Sequence, residues 1–179
     1  MPGYRNGLGL SLSGLGVVQQ KRGALEASQK SFLAAAGHQR AALDKEPRNS
    51  FYRTCLDSSC YRLARVERRI GHHAAAVTAT NERRGLWPGN SLELYNAACE
   101  FALCMPIAPE GSSERTRYAD LAIETLGQAI AAGWDDFNQT AHDPDLDPLR
   151  NRPDFRAMLA AMMDHAFPAD PFAPVAGRR

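Results

Sequence analysis

The chain has 179 residues, 44% of them hydrophobic and 23% charged, with a formal net charge of +1. This length suits one domain or a short repeat array, and the near-zero charge excludes a bulk electrostatic case for nucleic acid or a membrane surface. No apolar run reaches the ~18 residues of a membrane span.

The first predicted element is a helix over 4–22. Leu8, Leu12, Leu15 and Val18 recur at helical spacing and mark its inner face. Gly23 follows as a stop. The apolar run 8–18 resembles a signal peptide, but Gln19, Gln20, Lys21 and Arg22 follow it rather than a small-residue cleavage site, so a cytoplasmic protein is expected. A second helix spans 24–44, with Leu25, Ser28, Phe32, Ala35 and Ala36 inward, and Pro47 breaks it. A third spans 52–69 and ends at Gly71. The fourth covers 72–84, with Ala76 and Val77 inward, and the turn GLWPGN closes it.

A fifth helix over 92–103 stops at Met105-Pro106. After the loop PIAPEGSS, Ser112 or Ser113 caps a sixth, which carries Glu114 in its first turn and ends at Gly133. A capping segment is expected over 142–165. No stretch alternates with the two-residue period of a half-buried strand. The proline-spaced tail 166–179 is expected to be disordered.

The helices repeat. An offset of 48 residues lays Tyr52 on Tyr4, Leu56 on Leu8, Ser59 on Ser11, Leu63 on Leu15, Val66 on Val18 and Gly71 on Gly23. An offset of 34 lays Leu94 on Cys60 and Ala98 on Ala64. Periods of this length mean stacked helical hairpins. The expected architecture is all-α, one domain over 4–165, with units at about 4–47, 52–88 and 92–133 and the cap at 142–165.

These hairpins resemble tetratricopeptide repeats. Leu15-Gly16, Phe32 and Ala35 occupy the family's key places in the first unit; Leu63-Ala64, Ala76, Thr80 and Arg83 occupy them in the second; Ala97-Ala98, Ala122, Leu126 and Ala129 in the third. The stretches LYNAACEFALC, YADLAIETLGQAIAAGW and DPDLDPLRNRPDF are similar to the C-terminal repeat region of planctomycete-type bacterial serine/threonine kinases, and YRNGLGLSLSGLGVVQQKRG is similar to upstream repeats of those proteins. Ser13-Gly14 stands where that family carries Asn-Asn. The chain has no glycine-rich loop after a strand, no V-A-I-K lysine, no H-R-D and no D-F-G. The resemblance therefore implies a non-catalytic scaffold that binds protein or peptide, with no catalytic residue and no cofactor. The alternative is the C-terminal fragment of such a kinase, its catalytic domain absent from this chain.

Local signals carry plain readings beside functional ones. Cys55/Cys60 and Cys99/Cys104 are two C-x4-C pairs within helices. Five residues turn a helix by about 500°, which sets each pair of thiols about 140° apart, wrong for a shared metal; buried packing is expected. Asp143, Asp145 and Asp147 open like a calcium loop, but Pro148 stands where the loop needs Gly and Asp154 where it needs Glu. Asp143-Pro144 and Asp147-Pro148 read as caps, each laying a turn on the end of the stack through Leu146, Leu149 and Phe155. His72-His73 reads as solvated. No metal site is expected.

Arg62, Arg65, Arg68 and Arg69, with Lys21 and Arg22 one repeat earlier, form the one local charge concentration. The plain reading is a solvated face. In tetratricopeptide arrays the first helix of each pair lines a concave groove, and the resemblance places Tyr61, Arg65, Arg68, Arg69, Lys21, Tyr95 and Asn96 there. The implied ligand is an acidic peptide or a carboxyl terminus, with Arg65 and Arg69 sharing a face, Arg68 flanking them, and Tyr61 and Tyr95 adding flat contact area.

Overall fold

A computed structural model describes residues 1–167; the expected disordered tail lies outside them from residue 168 onward. Among the described residues there are eight α-helices, two short 3-10 segments and no strand. The helices are α1 (Pro2–Lys21), α2 (Leu25–Leu43), α3 (Ser50–Arg69), α4 (His73–Leu86), α5 (Ser91–Ala102), α6 (Ser113–Ala131), α7 (Phe137–His142) and α8 (Pro153–Ala166). No helix among the described residues is long and apolar enough to cross a membrane.

Each of the first five helices packs on the next, giving three stacked hairpins: α1/α2, α3/α4 and α5/α6. The all-α stack is as the sequence predicts. Starts and stops follow local chemistry. Asn49, Asn90 and Ser112 accept a backbone N–H from the residue three ahead and cap α3, α5 and α6. Gly23 and Gly71, which the 48-residue offset superimposes, turn the first and second hairpins at φ +78° and +84°, a region that favours glycine.

The first hairpin closes by a notch. Phe32 is fully buried, and its ring lies so near Gly16 that a Cβ there would meet it at 2.7 Å. Gly9 meets Gln39 and the Ala35 carbonyl in the same way. The inner face of α1 is thus Asn6, Gly9 and Gly16. This corrects the sequence reading: Leu15 and Val18 are exposed, and Leu8 and Leu12 only half-buried. In α1, leucine and glycine recur with the same helical period, so periodicity alone leaves the inner face undecided. Close packing decides it, because only the glycine face admits the Phe32 ring.

Between hairpins, Phe32 and Ala36 of α2 meet Leu56, Leu63 and Val66 of α3 in two apolar clusters. The largest cluster lies C-terminal, around Tyr95, Phe101, Tyr118 and Leu126, and is closed by Leu146, Leu149 and Phe155. Those last three come from the 3-10 segment Pro144–Leu149 and from α8, so the end of the stack is covered as expected. Other details differ. The short helix α7 was not anticipated. Asp143 does cap its segment, accepting the Asp145 N–H at 2.9 Å, but Pro148 lies inside that segment and Asp147 instead takes Arg150. Neither His72 nor His73 is merely solvated. His72 Nδ1 lies 3.1 Å from a Glu67 carboxylate oxygen, and His73 Nδ1 lies 2.8 Å from the Tyr118 hydroxyl. All four cysteines are free and buried.

Candidate functional site

The third helix supplies the wall of a groove of about 730 Å³ that runs between α3 and α5 and is closed at one side by Asp143 and Asp145. It collects five of the residues expected there: Tyr61, Arg65, Arg68, Tyr95 and Asn96. Lys21 and Arg69 do not line it, and both are exposed. The reason is angular. At about 100° per residue, Arg65 lies about 40° from Tyr61 around the helix and Arg68 about 20° on the other side, whereas Arg69 lies about 80° away. Arg68 therefore belongs to the wall and Arg69 flanks it, the reverse of the sequence expectation. Lys21 ends α1, and the groove begins only at α3.

Two layers of charge build the site. The inner layer is Arg83 of α4, a buried guanidinium held by three carboxylates. Its Nε donates to Asp57 at 2.9 Å, Nη1 to Glu100 at 2.8 Å and Nη2 to Glu93 at 2.6 Å. Thr80 donates to the second Glu100 oxygen at 3.0 Å. Burial raises the Glu100 carboxyl above its ordinary value, with Arg83 and Arg68 opposing. A buried charge must be paired, and each of the three Arg83 nitrogens is engaged by a carboxylate.

The outer layer is Arg62, Arg65 and Arg68. Among the described residues none of them forms an ion pair. Arg65 donates to the Tyr61 hydroxyl at 3.2 Å and lies over that ring, while Arg83 approaches the same ring at 5.2 Å from its centre. Tyr61 thus has two guanidinium groups near its ring. Arg68 Nη1 is buried with no hydrogen-bond partner among the described residues.

Tyr95 does not offer the expected contact area. It is buried, its ring stacks on Trp134 at 4.1 Å, and its hydroxyl donates to Asp143 at 2.7 Å. Burial, then Asp143, drives its phenol far above the ordinary value, so it remains a donor. Asp143 has one oxygen on Tyr95 and the other on the Asp145 N–H. The Asp145 carboxyl is raised by burial and by Asp143, while Arg68 and Arg65 pull it back. Among the described residues no group of three or more His, Cys, Asp and Glu side chains is placed to hold a metal ion.

Sequence reasoning missed the acidic side and the Arg83 clamp. Asp143 and Asp145 read as turn residues, and only the return of the chain onto α5 brings them to α3. Arg83 did carry a signal: it lies 48 residues after Ala35, a core position of the first hairpin, so an arginine there needs buried acidic partners. Comparison of the chain with family models, with curated proteins and with solved structures finds no match.

Proposed function

We propose that the chain is a non-catalytic scaffold of the tetratricopeptide type, of the kind attached to bacterial serine/threonine kinases, and that its groove holds a peptide through one carboxylate. The observation that carries this reading is the row of Arg62, Arg65 and Arg68 along the groove wall, none of which forms an ion pair among the described residues. Paired guanidinium groups hold a carboxylate by directed, bidentate bonds. Asp143 and Asp145 across the groove repel a run of acidic residues, which favours a single carboxylate such as a chain terminus over the acidic stretch suggested by the arginines alone. Four free buried thiols suit a reducing, cytoplasmic setting.

The test is fluorescence anisotropy with peptide libraries ending in a free carboxylate or an amide, against wild type and the Arg65→Ala, Arg68→Ala variant. Free-carboxylate peptides should bind wild type about tenfold or more tightly than the variant, since a hydrogen bond to a charged group contributes about 1.5–3 kcal/mol. The advantage should shrink with added salt. Equal binding by both proteins, or equal binding of acid and amide, removes the reading.

A further inference from the structure

The 48-residue offset pairs α1 with α3 residue for residue, yet the pairs meet opposite fates. Leu63 and Val66 are 7% and 0% exposed, whereas Leu15 and Val18 are 48% and 46% exposed. Ser59 is buried and Ser11 exposed; Leu56 is buried and Leu8 half-buried. On α3 this face is covered by α2, the second helix of the preceding hairpin, through Phe32 and Ala36. Among the described residues nothing takes the equivalent place on α1.

The geometry points to the outer face of α1 as a socket for the second helix of one further helical hairpin, shaped like α2. The residue types that need such a helix on α3 are the same ones on α1. Gly7 and Gly14, with no atom within 4 Å of where a Cβ would be, leave the surface beside Leu8 and Leu15 open. The occupant should present an aromatic residue with a small residue one turn later, as Phe32 and Ala36 do. It should also carry acidic flanks, because α1 bears Arg5 and Lys21 and no acid. A second copy of this chain has no such face to offer: its α2 is already covered by α1 and α3, its α4 lies between α3 and α5, and its α6 is held by α5 and α8.

A tandem fusion tests this with a probe of known shape. A second copy of residues 2–49 is joined ahead of Pro2 of the full chain, which keeps the 48-residue period and offers the added α2 to the original α1. The original copy carries Leu15→Cys, and the native thiols are buried. Alkylation of the introduced thiol should slow by about tenfold or more in the fusion relative to the unfused variant, as expected for a site that must open locally to react, and light scattering should show a monomer. An unchanged alkylation rate overturns the proposal. So does protection of the same thiol in the unfused variant by a dimer, which would make the face a self-contact.

Discussion

Helices α1 and α3 share sequence and register but live in different surroundings. The third helix is gripped from two sides, by α2 through Leu56, Leu63 and Val66 and by α4 through its own hairpin turn. The first is gripped mainly by α2, through the glycine notch that receives Phe32, with a lighter contact to α3 at Asn6 and Cys55. In a stacked array each helix buries whatever face has a neighbour. The same residue is therefore core in one unit and surface in the next, and its contribution to stability is set by position in the stack rather than by type.

The contrast can be broken by substitution. The largest effect is expected at the notch. Phe32 is fully buried and serves both hairpins, so Phe32→Ala should lower the free energy of unfolding in urea by about 3–5 kcal/mol; a loss under 1 kcal/mol would mean the notch does not hold α1. Next comes the matched pair. Leu63→Ala should cost about 2–5 kcal/mol, while Leu15→Ala should stay within about 0.5 kcal/mol, as surface changes do. Equal losses at the two positions would show that α1 is covered after all. The smallest effect separates two glycines of α1. A methyl at Gly16 would strike the Phe32 ring, so Gly16→Ala should cost about 1–3 kcal/mol by overpacking. Gly14 faces open space, and Gly14→Ala should gain about 0.5–1 kcal/mol from helix propensity alone. Thermal melts of the pair should move in opposite directions.

Much of the fold was legible because its punctuation is local. Gly23, Gly71, Pro47, Met105-Pro106 and Ser112 each act within a few residues, and the helix ends fall within a few residues of them. The inner face of α1 was not legible, because two periodic sets compete and only the size of the Phe32 ring chooses between them. The six-residue α7 is too short for periodicity to show. At the site, Tyr61 and Arg65 could be placed from one helix alone. Arg68 could have been, had the angle been measured from Tyr61 rather than from Arg69. Asp145 lies 77 residues from Arg68, and no spacing rule connects them.

Arg83 has a mechanical consequence. Its guanidinium is a rigid plane, and its three nitrogens reach into α3 at Asp57 and into α5 at Glu93 and Glu100, the two helices that face each other across the groove. A planar fork fixes directions as well as distances, so one side chain ties the angle between those helices in addition to their packing on α4. Spreading the groove to admit a thicker ligand would break several charge-assisted bonds at once rather than stretch any of them. On the function proposed above, the groove is therefore a gauge of fixed width, selecting a bound segment by its thickness. Lysine at this position, with a single nitrogen, would keep the charge and lose the gauge.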